Sequence, residues 1–155
     1  MSLDVGDPAL DFALPADGGD TIRLSDLRGR IVVLYFYPKD NTPGCTTEAR
    51  EFSALADEFA ALGATVIGVS KDSVATHERF RDKHGLRVRL ASDGDGAVCD
   101  AYGVWQEKSL YGRRFMGIVR STFLIDRDGR IARLWRKVRI KGHAAEVLAA
   151  ARELA

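Results

Sequence analysis

Seven consecutive residues, Ile31-Val32-Val33-Leu34-Tyr35-Phe36-Tyr37, form an unbroken apolar and aromatic run that Pro38 ends. The run is far too short to span a membrane, and it lacks the alternation of a strand with one wet face. Its β-branched and aromatic content reads as a central strand buried on both sides. Such a strand needs cover above and below, so the rest of the chain must supply layers for both faces of a sheet.

Those layers are legible on either side of the run. Before it, Phe12-Ala13-Leu14 and Thr21-Ile22-Arg23-Leu24 flank the turn Asp17-Gly18-Gly19-Asp20, which predicts an N-terminal β-hairpin. Ser25 is placed to cap a short helical turn ending at Gly29. After it, Phe52, Leu55, Phe59 and Leu62 recur at helical spacing, predicting one helix from about Cys45 to Leu62 that Gly63 ends. Ala64 to Ser70 reads as a second buried strand, Val74 to His84 as a helix closed by Gly85, and Val88 to Ala91 as a short strand. Asp95 to Tyr102 reads as a short helix. Ile118 to Asp126 and Arg130 to Val138 read as a hairpin turning at Arg127-Asp128-Gly129, and His143 to Leu154 as a closing helix. With no repeat and no linker, residues 1–155 are expected to form one α/β domain. Its pattern is that of a thioredoxin-like fold: a central mixed sheet flanked by helices.

Charge narrows the function. The 23 basic and 22 acidic side chains leave a formal net charge of +1, which argues against a dedicated nucleic-acid binder. Basic residues do gather late, from Arg113 and Arg114 through Arg133, Arg136, Lys137, Arg139 and Lys141, and read as a solvated face. Met1 to Asp7 carries neither the basic nor the apolar part of a secretory signal, and no stretch nears the roughly 20 apolar residues of a membrane helix. No membrane partner is therefore expected, and the expected location is cytoplasmic. Two cysteines, Cys45 and Cys99, are too few for a disulfide scaffold or a zinc site. No metal, flavin, nucleotide or haem motif is present, so the chemistry is expected to run on cysteine without a cofactor.

The loop after the central strand carries that chemistry. Cys45 follows Pro43-Gly44 at the start of the long helix, where free backbone N–H groups and the helix dipole favour a thiolate over a thiol of ordinary pKa near ~8.5. Thr42 stands three residues earlier, where dithiol oxidoreductases carry their first cysteine. A hydroxyl there forms no disulfide but can exchange hydrogen bonds with sulfur or oxygen, which weakens the reading as a thioredoxin-like disulfide reductase. Pro38 holds the turn out of the strand, and Gly44 permits close backbone approach.

The pattern Pro38-x-x-x-Thr42-x-x-Cys45 resembles the active-site motif of peroxiredoxins. The longer string from Tyr35 to Thr46, with Ala101 to Trp105, Gly117 to Asp126 and Asp128-Gly129, is similar to the bacterioferritin-comigratory, or Q-type, branch. The resemblance covers nearly the whole chain and implies a thiol peroxidase acting on hydrogen peroxide and organic hydroperoxides. It implies Cys45 as the peroxidatic cysteine, Thr42 as the hydroxyl contacting thiolate and peroxide, and Arg120 as the guanidinium that stabilises the departing oxygen. Glu48, one turn along the helix, is the residue that would orient an arginine. The implied reductant is thioredoxin, glutaredoxin or a low-molecular-weight thiol, and the implied state is monomer or dimer.

The chain departs from that branch in two places. Ala9-Leu10-Asp11-Phe12 replaces the usual Ala-Pro-Asp-Phe near the start. More consequentially, the position five residues after the peroxidatic cysteine, a common site for a resolving cysteine, is Arg50, and the helix 74–84 holds no cysteine either. Cys99 is left as an atypical resolving residue or a small buried hydrophobe, and with both usual positions empty a one-cysteine cycle is favoured. A different class of function, a peroxide-sensing relay or a holdase that engages partner proteins, would use the same cysteine.

Overall fold

The computed structural model describes residues 3–155; Met1 and Ser2, the head of the segment read above as lacking a signal pattern, lie outside them. β1 (Ala13–Pro15) and β2 (Thr21–Arg23) form the expected antiparallel hairpin, with Leu14 opposite Ile22. A single 3-10 turn (Leu24–Leu27) leads to β3 (Ile31–Phe36), the apolar run. The turn has no side-chain cap; Ser25 lies inside it and its N–H donates to Asp11 instead.

β3 pairs in parallel with β4 (Ala64–Ser70) and antiparallel with β8 (Ser121–Ile125), and every one of its residues is buried. β5 (Arg89–Ser92) and β9 (Ile131–Arg136) complete the sheet, in the order β5-β4-β3-β8-β9. Alternation along β3 divides the core in two. Ile31, Val33, Tyr35 and Tyr37 point to one side, where α1 (Pro43–Ala54), α2 (Ala56–Ala61), α3 (Val74–His84) and α5 (His143–Leu154) supply Phe52, Phe59, Phe80 and Val147. Val32, Leu34 and Phe36 point to the other, beneath the N-terminal hairpin, α4 (Ala97–Ala101) and Tyr102. Each such side chain contributes roughly 1.5–3 kcal/mol by leaving water, so this strand is the anchor of both layers.

The structure differs from the sequence reading in three elements. The helix expected from Cys45 to Leu62 is two helices, broken at Leu55 (φ −100°, ψ 9°). Just before the break, Ser53 Oγ donates back to the Ala49 carbonyl at 2.7 Å and accepts the Arg87 N–H at 2.9 Å, and hydroxyl back-bonding of this kind bends helices. Phe52 and Phe59 nevertheless reach the same core, as the periodicity required. A second hairpin, β6 (Trp105–Leu110) with β7 (Arg113–Ile118), occupies a stretch that gave no strand signal, and Ile118 belongs to it rather than to β8. It turns through Tyr111 and Gly112, both at positive φ (52° and 76°), as a two-residue hairpin loop requires. No helix of the described residues is long and apolar enough to cross a membrane.

Candidate active site

The site forms where β3 ends and α1 begins. Thr42 is the N-cap of α1 in extended conformation, Pro43 opens the helix with the φ it already prefers, and Thr46 is the first residue to donate inward, to the Thr42 carbonyl at 2.9 Å. Gly44 and Cys45 therefore sit in the first turn, where backbone N–H groups have no helical acceptor and the dipole is positive. Cys45 is 2% exposed, so its sulfur is recessed in the floor of this turn.

Arg120 comes to it from the short link between β7 and β8. That link is pinned at both sides: Val119 N–H donates to the Val104 carbonyl and Val138 N–H to the Arg120 carbonyl, at 2.8 and 3.0 Å. The guanidinium then divides its donors. Nη2 lies 3.3 Å from Cys45 Sγ, and Nη1 donates to Glu48 Oε1 at 2.7 Å. Glu48 is one turn beyond Cys45 on the same helix face, and its carboxylate fixes the fork. Burial pushes Glu48 up to about 7 despite the guanidinium, and its second oxygen has no hydrogen-bond partner among the described residues. Burial alone would lower Arg120, but Glu48 and Cys45 more than compensate and hold it charged.

Gly44 has a steric reason to be glycine. A Cβ there would stand 3.1 Å from Ile140 Cδ1 and 3.3 Å from Arg120 Nη2, in the space the guanidinium occupies. Pro38 lies where β3 leaves the sheet, half-buried. Thr42 is near Cys45 in the chain, but its hydroxyl donates to the Lys39 carbonyl at 2.8 Å and makes no recorded bond to the sulfur.

Cys99 lies elsewhere. It is on α4, 0% exposed, and packs in the core on the opposite face of the sheet from Cys45. Burial raises its pKa, and the neighbouring Asp93 carboxylate adds to the effect, so it stays a thiol.

Two features of the site were not visible in the sequence. Asp40, in the loop before Cys45, is buried against His77 of α3, with Asp40 Oδ2 2.6 Å from His77 Nδ1. Asp40 also accepts Tyr37 Oη at 2.5 Å, and His77 Nε2 faces the Ala91 carbonyl at 2.9 Å. With both ring nitrogens facing acceptors, the surroundings of His77 favour its protonated form. Desolvation opposes that charge, and the Asp40 hydrogen bond and charge overcome it, raising the pKa. This buried pair ties the active loop to α3 and β5. Lys108 of β6 is the second: its Nζ donates to the Ile118 carbonyl at 3.0 Å, and burial followed by Arg120 lowers its pKa. Asp40 meets His77 from 37 residues away, and Lys108 lies on a hairpin that carries no apolar period, so no local spacing announces either.

A model of the AhpC/TSA family matches residues 5–134. The chain belongs to this family. Within it the chain falls in the Bcp, or Q-type, branch of peroxiredoxins. It is 49% identical over 148 residues to peroxiredoxin Bcp of Bacillus subtilis (strain 168), covering 96% of this chain and 94% of that protein. To peroxiredoxin Bcp of Xanthomonas campestris it is 50% identical over 145 residues, covering 92% and 91%. A solved structure of a cysteine-to-serine mutant of Xylella fastidiosa PrxQ matches with a TM-score of 0.93 at 43% identity, covering 99% of this chain and 98% of that one. Structures of the Xanthomonas campestris bacterioferritin comigratory protein, described as trapped intermediate and ligand complexes bearing on its alkyl peroxide reduction, match with a TM-score of 0.89 at 46% identity, covering 97% of this chain and 96% of that chain. The thioredoxin-like fold of this peroxiredoxin is thus shared across its length with solved members of its branch.

Proposed function

We propose that Cys45 is the residue through which this thiol-dependent peroxidase acts, with Arg120 as its electrostatic partner and Glu48 as the residue that positions the guanidinium. The observation that carries the reading is the 3.3 Å approach of Arg120 Nη2 to Cys45 Sγ, with the other arm of the fork held by Glu48. The thiolate attacks one oxygen of a hydroperoxide, the O–O bond breaks, and the departing alkoxide or hydroxide takes a proton. Cys45 is left as a sulfenic acid. Negative charge moves from sulfur to the departing oxygen, and the guanidinium with the first-turn N–H groups faces that path without having to reorganise. Thr42 supports the same step: its hydroxyl hydrogen is committed to Lys39, so its lone pairs remain to accept the O–H of the peroxide. Pro38 and Gly44 give the loop its shape and the guanidinium its room.

The cycle we favour is completed by an external thiol. Support comes from Arg50 and the cysteine-free α3 at the usual resolving positions, and from Cys99 being fully buried on the other face of the sheet. Disulfides need Cα atoms within about 7 Å, so a Cys45–Cys99 bond would require the sheet layers to part. A cycle that consumes thiol fits a reducing compartment such as the cytoplasm. The test is Cys45→Ser: peroxidase turnover should vanish while circular dichroism shows the fold intact, and full activity in that variant would refute the assignment.

A further inference from the structure

Of the basic residues that gather late in the chain, Arg113 and Arg114 lie on the exposed β6–β7 hairpin, but a later group converges on one place. Lys137, Arg139 and Lys141 follow β9 and line a pocket of about 450 Å³ together with Trp135, Arg136 and Glu146; the Arg136 guanidinium is turned away, donating to the Leu3 carbonyl and lying over Phe123, so three cations face one carboxylate. Among the described residues, Lys137, Arg139 and Lys141 form no salt bridge, and all three are exposed. Like charges crowded without partners are destabilising, so a cluster of this kind favours an anion that offsets it. Its location gives the cluster a use. The same segment walls the active site: Val138 N–H holds the Arg120 carbonyl, and Ile140, between two of the cations, reaches to within 3.1 Å of the Cβ position of Gly44. His143 at the inner end is kept neutral by burial and accepts or donates to Thr122 at 2.8 Å, so it adds no opposing charge.

We propose that this pocket receives an anionic small thiol, one carrying carboxylates, and presents its sulfur to oxidised Cys45. The inference rests on the one-cysteine cycle proposed above and adds the class of reductant. The steps balance. The thiol attacks the sulfenic sulfur, the S–O bond breaks, the hydroxyl leaves as water with the thiol proton, and a mixed disulfide forms at Cys45. A second thiol attacks that disulfide at the bound thiol's sulfur, releasing the small-molecule disulfide and the Cys45 thiolate. A carboxylate-bearing hydroperoxide has the same charge chemistry, and the test separates the two.

The experiment oxidises the full chain with one equivalent of hydrogen peroxide and follows the mixed disulfide at Cys45 by quenched mass spectrometry. The probes are mercaptosuccinate, 2-mercaptoethanol and cysteamine, with rates expressed per thiolate. Mercaptosuccinate should react on the order of tenfold faster than 2-mercaptoethanol, with cysteamine slowest, and the advantage should shrink as salt is raised. The triple variant Lys137→Ser, Arg139→Ser, Lys141→Ser should bring the ratio near unity. Because the readout is a ratio between thiols, a general loss of site integrity cancels. A ratio unchanged by the variant overturns the proposal while leaving the one-cysteine cycle standing. A Cys45–Cys99 disulfide in place of the mixed disulfide overturns both. If the variant instead slows sulfenic acid formation by a fatty-acid hydroperoxide relative to tert-butyl hydroperoxide, with the thiol ratio unmoved, the pocket serves the peroxide and the proposal fails.

Discussion

Arg120 and Cys45 meet at 3.3 Å although they are far apart in the chain, and the contact uses only one arm of the guanidinium. The other arm is held by Glu48 at 2.7 Å, so the donor facing the sulfur is aimed by a bond made elsewhere. Charge alone would not reproduce this arrangement, because it depends on a planar fork that binds two partners at once.

Arg120→Lys keeps the charge and loses the fork. The second-order rate of sulfenic acid formation, measured by stopped flow, should fall by about 10²-fold, the usual loss when one aimed donor is removed from a developing oxyanion. A lysine variant with the parent rate would mean that charge, not aim, is what the site needs.

Gly44→Ala adds a methyl where the guanidinium and Ile140 already stand. Helix propensity would improve, so stability should change by less than about 1 kcal/mol, while the displaced Arg120 should lower the peroxide rate by about tenfold. Unchanged kinetics with unchanged stability would show that the space is not shared.

Glu48 makes stability depend on pH in a definite direction. Burial raises its folded pKa from 4.5 to about 7, so the folded state binds the proton more tightly than the unfolded chain. Its contribution is therefore fully present below about pH 4.5 and is lost as pH rises through about 7. Relative to Glu48→Gln, which does not titrate, the wild type should lose stability on the order of 3 kcal/mol across that window in urea unfolding. A flat difference between the two proteins contradicts the burial account.

The buried Asp40–His77 pair behaves similarly at higher pH. The histidine pKa is raised above 6.5, so the pair's stabilisation is complete below that value and is lost as pH climbs through the folded-state pKa. Asp40→Asn leaves His77 without its counter-charge at 0% exposure and should cost about 3–5 kcal/mol near pH 6. A loss below about 1 kcal/mol would mean the histidine is neutral in the folded protein.

What the sequence revealed follows from where the information lies. β3 was legible because burial on both faces demands a run of apolar residues, and the Thr42-Pro43-Gly44-Cys45 turn because helix starts have local chemistry. α5 was legible through its alanine-rich pattern, and Gly85 marks the end of α3 because it takes the left-handed conformation (φ 60°). The β6–β7 hairpin was not legible, since a ribbon with most residues exposed has no apolar period to read. The break at Leu55 has no glycine or proline to mark it; Ser53 beside it bonds back to Ala49 and also meets Arg87 from a distant segment. The side of the sheet on which Cys99 lies was equally hidden, because it is set by the path of the chain and not by neighbours in sequence.

That path leads to the most direct test. The protein, treated with one equivalent of peroxide without added thiol, should yield Cys45 carrying one added oxygen, trappable by a 1,3-diketone, with Cys99 still a free thiol by peptide mass spectrometry. A dominant Cys45–Cys99 disulfide would contradict the account, showing that the two faces of the sheet open far enough for this chain to resolve itself.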